Sequence, residues 1–148
     1  MRRTLALVAV FSSFAVLASI SPASADDARL YAIMTGAAER PGPGDPDAVG
    51  RAVITINDAA NQVCVAVQFT NVTLPTTGFH IHIAPPTDPG PVVIPLANPT
   101  TNQSYQCVTV GNEALLDDVA ANPGRYYINL HTLPLYAAGA IRGQLQRI

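Results

Sequence analysis

Three histidines, His80, His82 and His131, are the only imidazoles in a chain of 148 residues. The first two lie in Phe79-His80-Ile81-His82-Ile83, where apolar and imidazole side chains alternate. In a strand, alternate residues point to opposite faces. Phe79, Ile81 and Ile83 would then face a core, and the two imidazoles would share the outer face, roughly 6.6 Å apart along the strand. His131 ends a second alternating run, Tyr126-Tyr127-Ile128-Asn129-Leu130-His131. There Tyr126, Ile128 and Leu130 take the core parity, while Tyr127, Asn129 and His131 point the other way. Imidazole nitrogens suit copper and zinc. If the two strands are neighbours, His80, His82 and His131 form a three-nitrogen surface site. Arg142 and Tyr127 share its parity, as side chains that could steady the ligands or attract an anion. A closed structural zinc site takes four protein ligands, so three imidazoles would leave a position open to an exchangeable or redox-active ion. The competing reading is three exposed imidazoles that share no ligand.

The elements that must carry these residues are short and extended. Alternating apolar runs mark strands over Arg29–Thr35, Gly50–Asn57, Gln62–Phe69, Phe79–Ile83, Val92–Leu96, Tyr105–Val110, Arg125–His131 and Ala140–Ile148. Asn57 to Asn61 has turn chemistry, which predicts a hairpin between the second and third runs. Three prolines and three glycines between Gly36 and Asp47 exclude a regular element there. That segment is either a long ordered loop or a flexible flap. Glu113–Asn122 is the one helical candidate, with Leu115, Leu116 and Val119 on one side, Asn112 as cap and Pro123-Gly124 as stop. The pattern predicts an all-β fold: an antiparallel Greek-key β-sandwich of about eight strands with one short helix.

Residues 1–25 read as a secretory signal peptide. Met1-Arg2-Arg3 is a basic start, Leu5 to Ile20 is apolar, and Ala23-Ser24-Ala25 is a small-residue cleavage pattern. A single domain over residues 26–148 follows, secreted or held in the cell envelope. No stable membrane span is expected after cleavage, because no other apolar run reaches roughly 20 residues. That domain has six Arg, no Lys and ten acids, so it lacks the basic patch that a grip on nucleic acid needs. An exported chain with two cysteines, Cys64 and Cys107, reads as disulfide-bonded. Both lie on the non-core parity of their strands, so a cross-strand bridge within one sheet satisfies them. A metal site of two thiols and histidines is the alternative, without CxxC spacing to support it.

Enzyme chemistry has little to stand on. Ser104 is the one serine after residue 25 and has no G-x-S-x-G context. There is no lysine for a Schiff base. No glycine-rich loop opens a helix to hold phosphate.

Several motifs together resemble a known family. Gly36-Ala37-Ala38-Glu39-Arg40-Pro41, His80-Ile81-His82, Tyr127-Ile128-Asn129-Leu130-His131-Thr132 and Gly139-Ala140-Ile141-Arg142-Gly143-Gln144-Leu145 look like those of the CHRD (chordin-type) domain. The likeness runs from about Leu30 to Leu145. It implies an exported bacterial single-domain member: a non-enzymatic binding module with an extracellular protein or a small ligand as partner. The family usually has Glu where this chain has Ala140, and a Gly-rich segment where it has Pro85-Pro86. The paired-His strand and the late Arg-Gly segment are also partly similar to Cu/Zn superoxide dismutase. That likeness implies the alternative, a copper-dependent enzyme or copper carrier, with His80, His82 and His131 on copper and Arg142 drawing in an anion. The chain shows neither a fourth bridging His nor a zinc-binding loop to match.

Overall fold

The computed structural model describes residues 28–148. The signal peptide expected over residues 1–25 lies outside the described residues. The strands are β1 (Ala28–Thr35), β2 (Val49–Asn57), β3 (Gln62–Thr70), β4 (Thr76–Ile83), β5 (Val92–Pro95), β6 (Gln103–Thr109), β7 (Tyr126–Thr132), β8 (Tyr136–Gln144) and β9 (Gln146–Arg147). One helix, α1 (Glu113–Ala121), joins β6 to β7. Among the described residues no helix is long and apolar enough to cross a membrane.

The strands pair antiparallel in the order β5-β4-β7-β8-β1-β2-β3-β6, with β9 added beside β1. The expected all-β architecture is therefore present, as one continuous sheet curled around a single core. Its two halves meet where Thr35 of β1 pairs with Arg142 of β8. The connections β3–β4, β5–β6 and β6–β7 each pass from one half to the other. The core parities read from the sequence hold: Leu30, Ala32 and Met34, Val63, Val65 and Val67, Phe79 and Ile81, and Ile128 and Leu130 are all buried. Burying each large aliphatic or aromatic side chain contributes about 1.5–3 kcal/mol.

Most strand limits shift by one or two residues from the sequence expectation, and two strands differ by more. β4 starts at Thr76, earlier than Phe79, because Thr76 already pairs with Thr132 across a local irregularity. The strand expected over residues 140–148 begins at Tyr136 and breaks at Leu145. There the backbone N–H of Leu145 makes a last bond to β7, at the Tyr126 carbonyl (2.9 Å), and Gln146 and Arg147 move across to β1. Leu145 itself is fully buried, so one chain segment stitches both halves together.

The connecting segments are ordered by specific bonds. In the Gly36–Asp47 loop, Glu39 and Gly44 donate backbone N–H groups to the Gly36 carbonyl, and Asp45 donates to Ala140 on β8 (2.8 Å). The Asn112 side chain caps α1 by accepting from Leu115 N–H, and Leu116 and Val119 close the core. The sheet's two outer strands, β5 and β6, are consecutive in the chain. The amide of Gln106 on β6 bonds both the N–H (2.7 Å) and the carbonyl (2.8 Å) of Ala97, just after β5.

Cys64 on β3 lies directly opposite Cys107 on β6. The two form a disulfide with Cα atoms 4.0 Å apart, and no described cysteine is free. The bridge closes a separation of 43 residues, for which chain entropy suggests an upper stabilisation of about 4 kcal/mol. Both sulfurs sit on the outer parity, so their removal leaves no core cavity. The double variant Cys64→Ser/Cys107→Ser should lose about 2–4 kcal/mol in urea unfolding. Wild-type protein in reductant should lose the same amount. An unchanged midpoint in both would contradict this account.

Candidate metal centre

The register of β4 on β7 decides the site. Phe79 faces Leu130 and Ile81 faces Ile128, all four fully buried. A slip by one residue would turn these side chains out to the other face. The same register sets His80 opposite Asn129, His82 opposite Tyr127, and Gly78 opposite His131. The two histidine strands are thus immediate neighbours, and the three imidazoles converge. Ring centroids lie 5.4 Å apart for His80–His82, 5.2 Å for His80–His131 and 6.4 Å for His82–His131. One ring nitrogen from each falls within 4.8 Å of the others. An ion bound at about 2.0–2.1 Å from each nitrogen allows a spread of about 4 Å, so closure asks for less than 1 Å of ring movement.

Gly78 makes this convergence possible. A Cβ there would meet His80 Cε1 at 2.8 Å and His131 Cδ2 at 2.9 Å. Any side chain at this position would push the two rings apart.

Hydrogen bonds fix which nitrogens face the centre. His82 Nδ1 lies 2.8 Å from the Gly90 carbonyl, and His131 Nδ1 lies 2.9 Å from that of Ala137. A carbonyl only accepts, so each Nδ1 carries a proton, and in the neutral tautomer that this selects, Nε2 keeps the lone pair. His82 Nε2, His131 Nε2 and His80 Nδ1 are all buried without a hydrogen-bond partner. Burial holds the His80 and His82 pKa values below the usual imidazole value. The neighbouring His131 adds to this for His80, whereas the Gly90 carbonyl opposes it for His82. Both rings are therefore neutral, as metal ligands must be.

The outer face is not the open surface that the sequence suggests. His80 and His131 are half-buried, but His82, Tyr127, Asn129 and Arg142 are 7 %, 3 %, 2 % and 1 % exposed. The loop between β4 and β5 folds over them, which strand parity alone does not reveal. Arg142 donates to the carbonyls of Asp88 (2.9 Å) and Pro85 (2.8 Å) in that loop. Gln144 donates to Ala84 (2.8 Å). The guanidinium also lies over the Tyr127 ring, 3.4 Å from its centroid, and His82 stacks parallel on that ring at 4.7 Å. Tyr127 Oη accepts from Gly90 N–H (3.2 Å). Arg142 thus holds the loop, the loop presents Gly90, and Gly90 orients His82.

Glu39, from the Gly36–Asp47 loop, is 2 % exposed behind this group, with Oε1 unpartnered. It lies near Arg142 and Asn129 without forming an ion pair. Burial outweighs the opposing Arg142 charge and pushes the carboxyl pKa up to about 7. Sequence reasoning placed Asn129 on the histidine parity but gave it no role. It passed over Gly78, Gly90 and Glu39, though Gly78 stands two residues before His80 on the same parity. Elsewhere, a shallow groove of about 720 Å³ on the outer face of β2, β3 and β6 is lined by Arg51, Gln68, Gln103 and Tyr105 among others. Its lining contains neither a carboxylate nor an imidazole, so it offers no acid–base pair.

Comparison with known proteins gives one match. The model of the CHRD domain matches residues 30–145. No curated protein and no solved structure matches the chain.

The buried carboxyl yields a pH test. The Glu39 pKa is higher folded than unfolded, so its contribution to stability is full below about 4.5 and lost as pH rises through about 7. That shift is worth about 3 kcal/mol. Glu39→Gln should therefore match wild type at pH 4 in urea unfolding and exceed it by up to about 3 kcal/mol at pH 8. His80 and His82 act in the opposite sense: their depressed pKa values give stability that is full above about 6.5 and lost at lower pH. Both proteins share that term, so it cancels in the comparison. A gap that does not widen with pH would refute the assignment.

Proposed function

The chain belongs to the CHRD-domain family, and from that premise we propose that it is an exported, non-enzymatic interaction module that binds one copper or zinc ion through His80, His82 and His131. The observation that carries this reading is the convergence of the three imidazoles, one ring nitrogen from each within 4.8 Å of the others, each ring also keeping one buried nitrogen without a partner. A buried acceptor without a donor costs about 1–3 kcal/mol. Three facing one another add lone-pair repulsion, which a cation turns into attraction. The carbonyls of Gly90 and Ala137 bond the far side of two rings, the arrangement that orients imidazole ligands around metals. Export rests on the signal sequence, and the partner is an extracellular protein or a small ligand.

The copper-enzyme alternative needs a cation free to draw an anion to an open coordination position. Arg142 is 1 % exposed and its donors are engaged by Pro85 and Asp88. No observation favours that reading over simple ion binding.

Metal analysis of protein purified without a His tag, followed by zinc and copper titration, tests the proposal. One ion per chain is expected, with affinity lowered roughly 100-fold or more in His80→Ala. Equal metal content in wild type and His80→Ala would eliminate the metal reading and leave the interaction module alone.

A further inference from the structure

The lone pairs at this centre number four. Asn129 lies in the middle of the site, opposite His80 on β4 and opposite Arg142 on β8. It is 2 % exposed, and its Oδ1 has no hydrogen-bond partner. Its amide is a near neighbour of both the Glu39 carboxyl and the His82 ring. A carboxyl oxygen, ionised or neutral, accepts from an amide NH₂, and a contact of that kind leaves the carbonyl oxygen of Asn129 on the side of His82. The His82 proton is already committed at Nδ1 to Gly90. Asn129 Oδ1 therefore meets a bare Nε2, acceptor against acceptor, in a buried place where neither can turn to water.

We propose that Asn129 Oδ1 is the fourth donor of the centre, completing an N₃O set with His80, His82 and His131 for a divalent ion. This rests on the metal reading above and sharpens it. An amide oxygen is a hard ligand and favours Zn²⁺ or Cu²⁺, whereas Cu⁺ is content with imidazoles and soft sulfur. Glu39 then acts as a positioning residue: it holds the amide NH₂ and so aims the oxygen. It also places a carboxyl close to a dication whose imidazole ligands are neutral. Four protein donors make a more closed site than three, so the ion is held, not passed on.

Zinc and Cu⁺ titrations of wild type, Asn129→Ala and Asn129→Asp test the proposal, with circular dichroism to confirm folding. In Asn129→Ala, Zn²⁺ affinity should fall about 10–100-fold, while Cu⁺ affinity should change by less than about threefold. In Asn129→Asp, Zn²⁺ should bind at least as tightly as in wild type, and the visible bands of the Co²⁺ form should shift as an oxygen ligand changes charge. Equal losses for both ions, or undiminished Zn²⁺ binding by Asn129→Ala, would overturn the fourth-donor assignment while leaving the three-histidine site standing. If Asn129→Ala does not fold, Asn129→Asp decides: weaker Zn²⁺ binding than wild type overturns the assignment. Wild-type protein that binds neither ion would overturn the metal reading, and this inference with it.

Discussion

The pairing of β4 with β7 is the constraint on which the rest of the site depends. Four buried apolar side chains, Phe79 and Ile81 against Leu130 and Ile128, fix the register from inside the core. The outer face inherits that register without contributing to it. Each imidazole is placed by the burial of its apolar neighbours in the same strand. A chemically demanding cluster is thereby positioned by the least specific force in the protein, the exclusion of hydrocarbon from water.

Hydrophobic register sets where the strands lie, but it does not orient rings. That task falls to a second, polar layer. Arg142 is buried and satisfied by carbonyls of the β4–β5 loop. The same side chain lies on Tyr127, which stacks on His82. A buried guanidinium without those acceptors would be strongly destabilising, so loop and arginine require each other. The cover over the site is therefore part of the fold and not a detachable flap. Gly78 and Gly90 complete the layer by omission. A Cβ at Gly78 would displace two imidazoles, and one at Gly90 would collide with the Ile83 carbonyl.

Strand parity in the sequence was enough to find the histidine triad, the disulfide and the inner face of nearly every strand. It succeeded because period-two alternation is unusually clean in Phe79–Ile83 and Gln62–Phe69. It was less informative where one face is covered twice. Tyr127, Asn129 and Arg142 sit on the outer parity yet are as buried as core residues, because Pro85–Pro91 packs over them. Loop paths depend on long-range acceptors such as Asp88 and Gly90, which leave no periodic trace. The break at Leu145 was hidden for a related reason. Its apolar side chain continues the alternation, and only the pairing of Gln146 and Arg147 with β1 reveals the change of partner.

The two outermost strands, β5 and β6, are the places where this sheet could recruit a foreign strand and begin to aggregate. Both are blunted by local chemistry. β5 is four residues long and ends at Pro95, which has no N–H to donate. Gln106 on β6 takes up both backbone groups of Ala97 with its side-chain amide, in the manner of a strand partner. The disulfide ties β6 to β3 at its centre, so that margin cannot peel away while the bridge is intact. A chain built from so many short strands is thus blunted at both margins against edge-to-edge pairing.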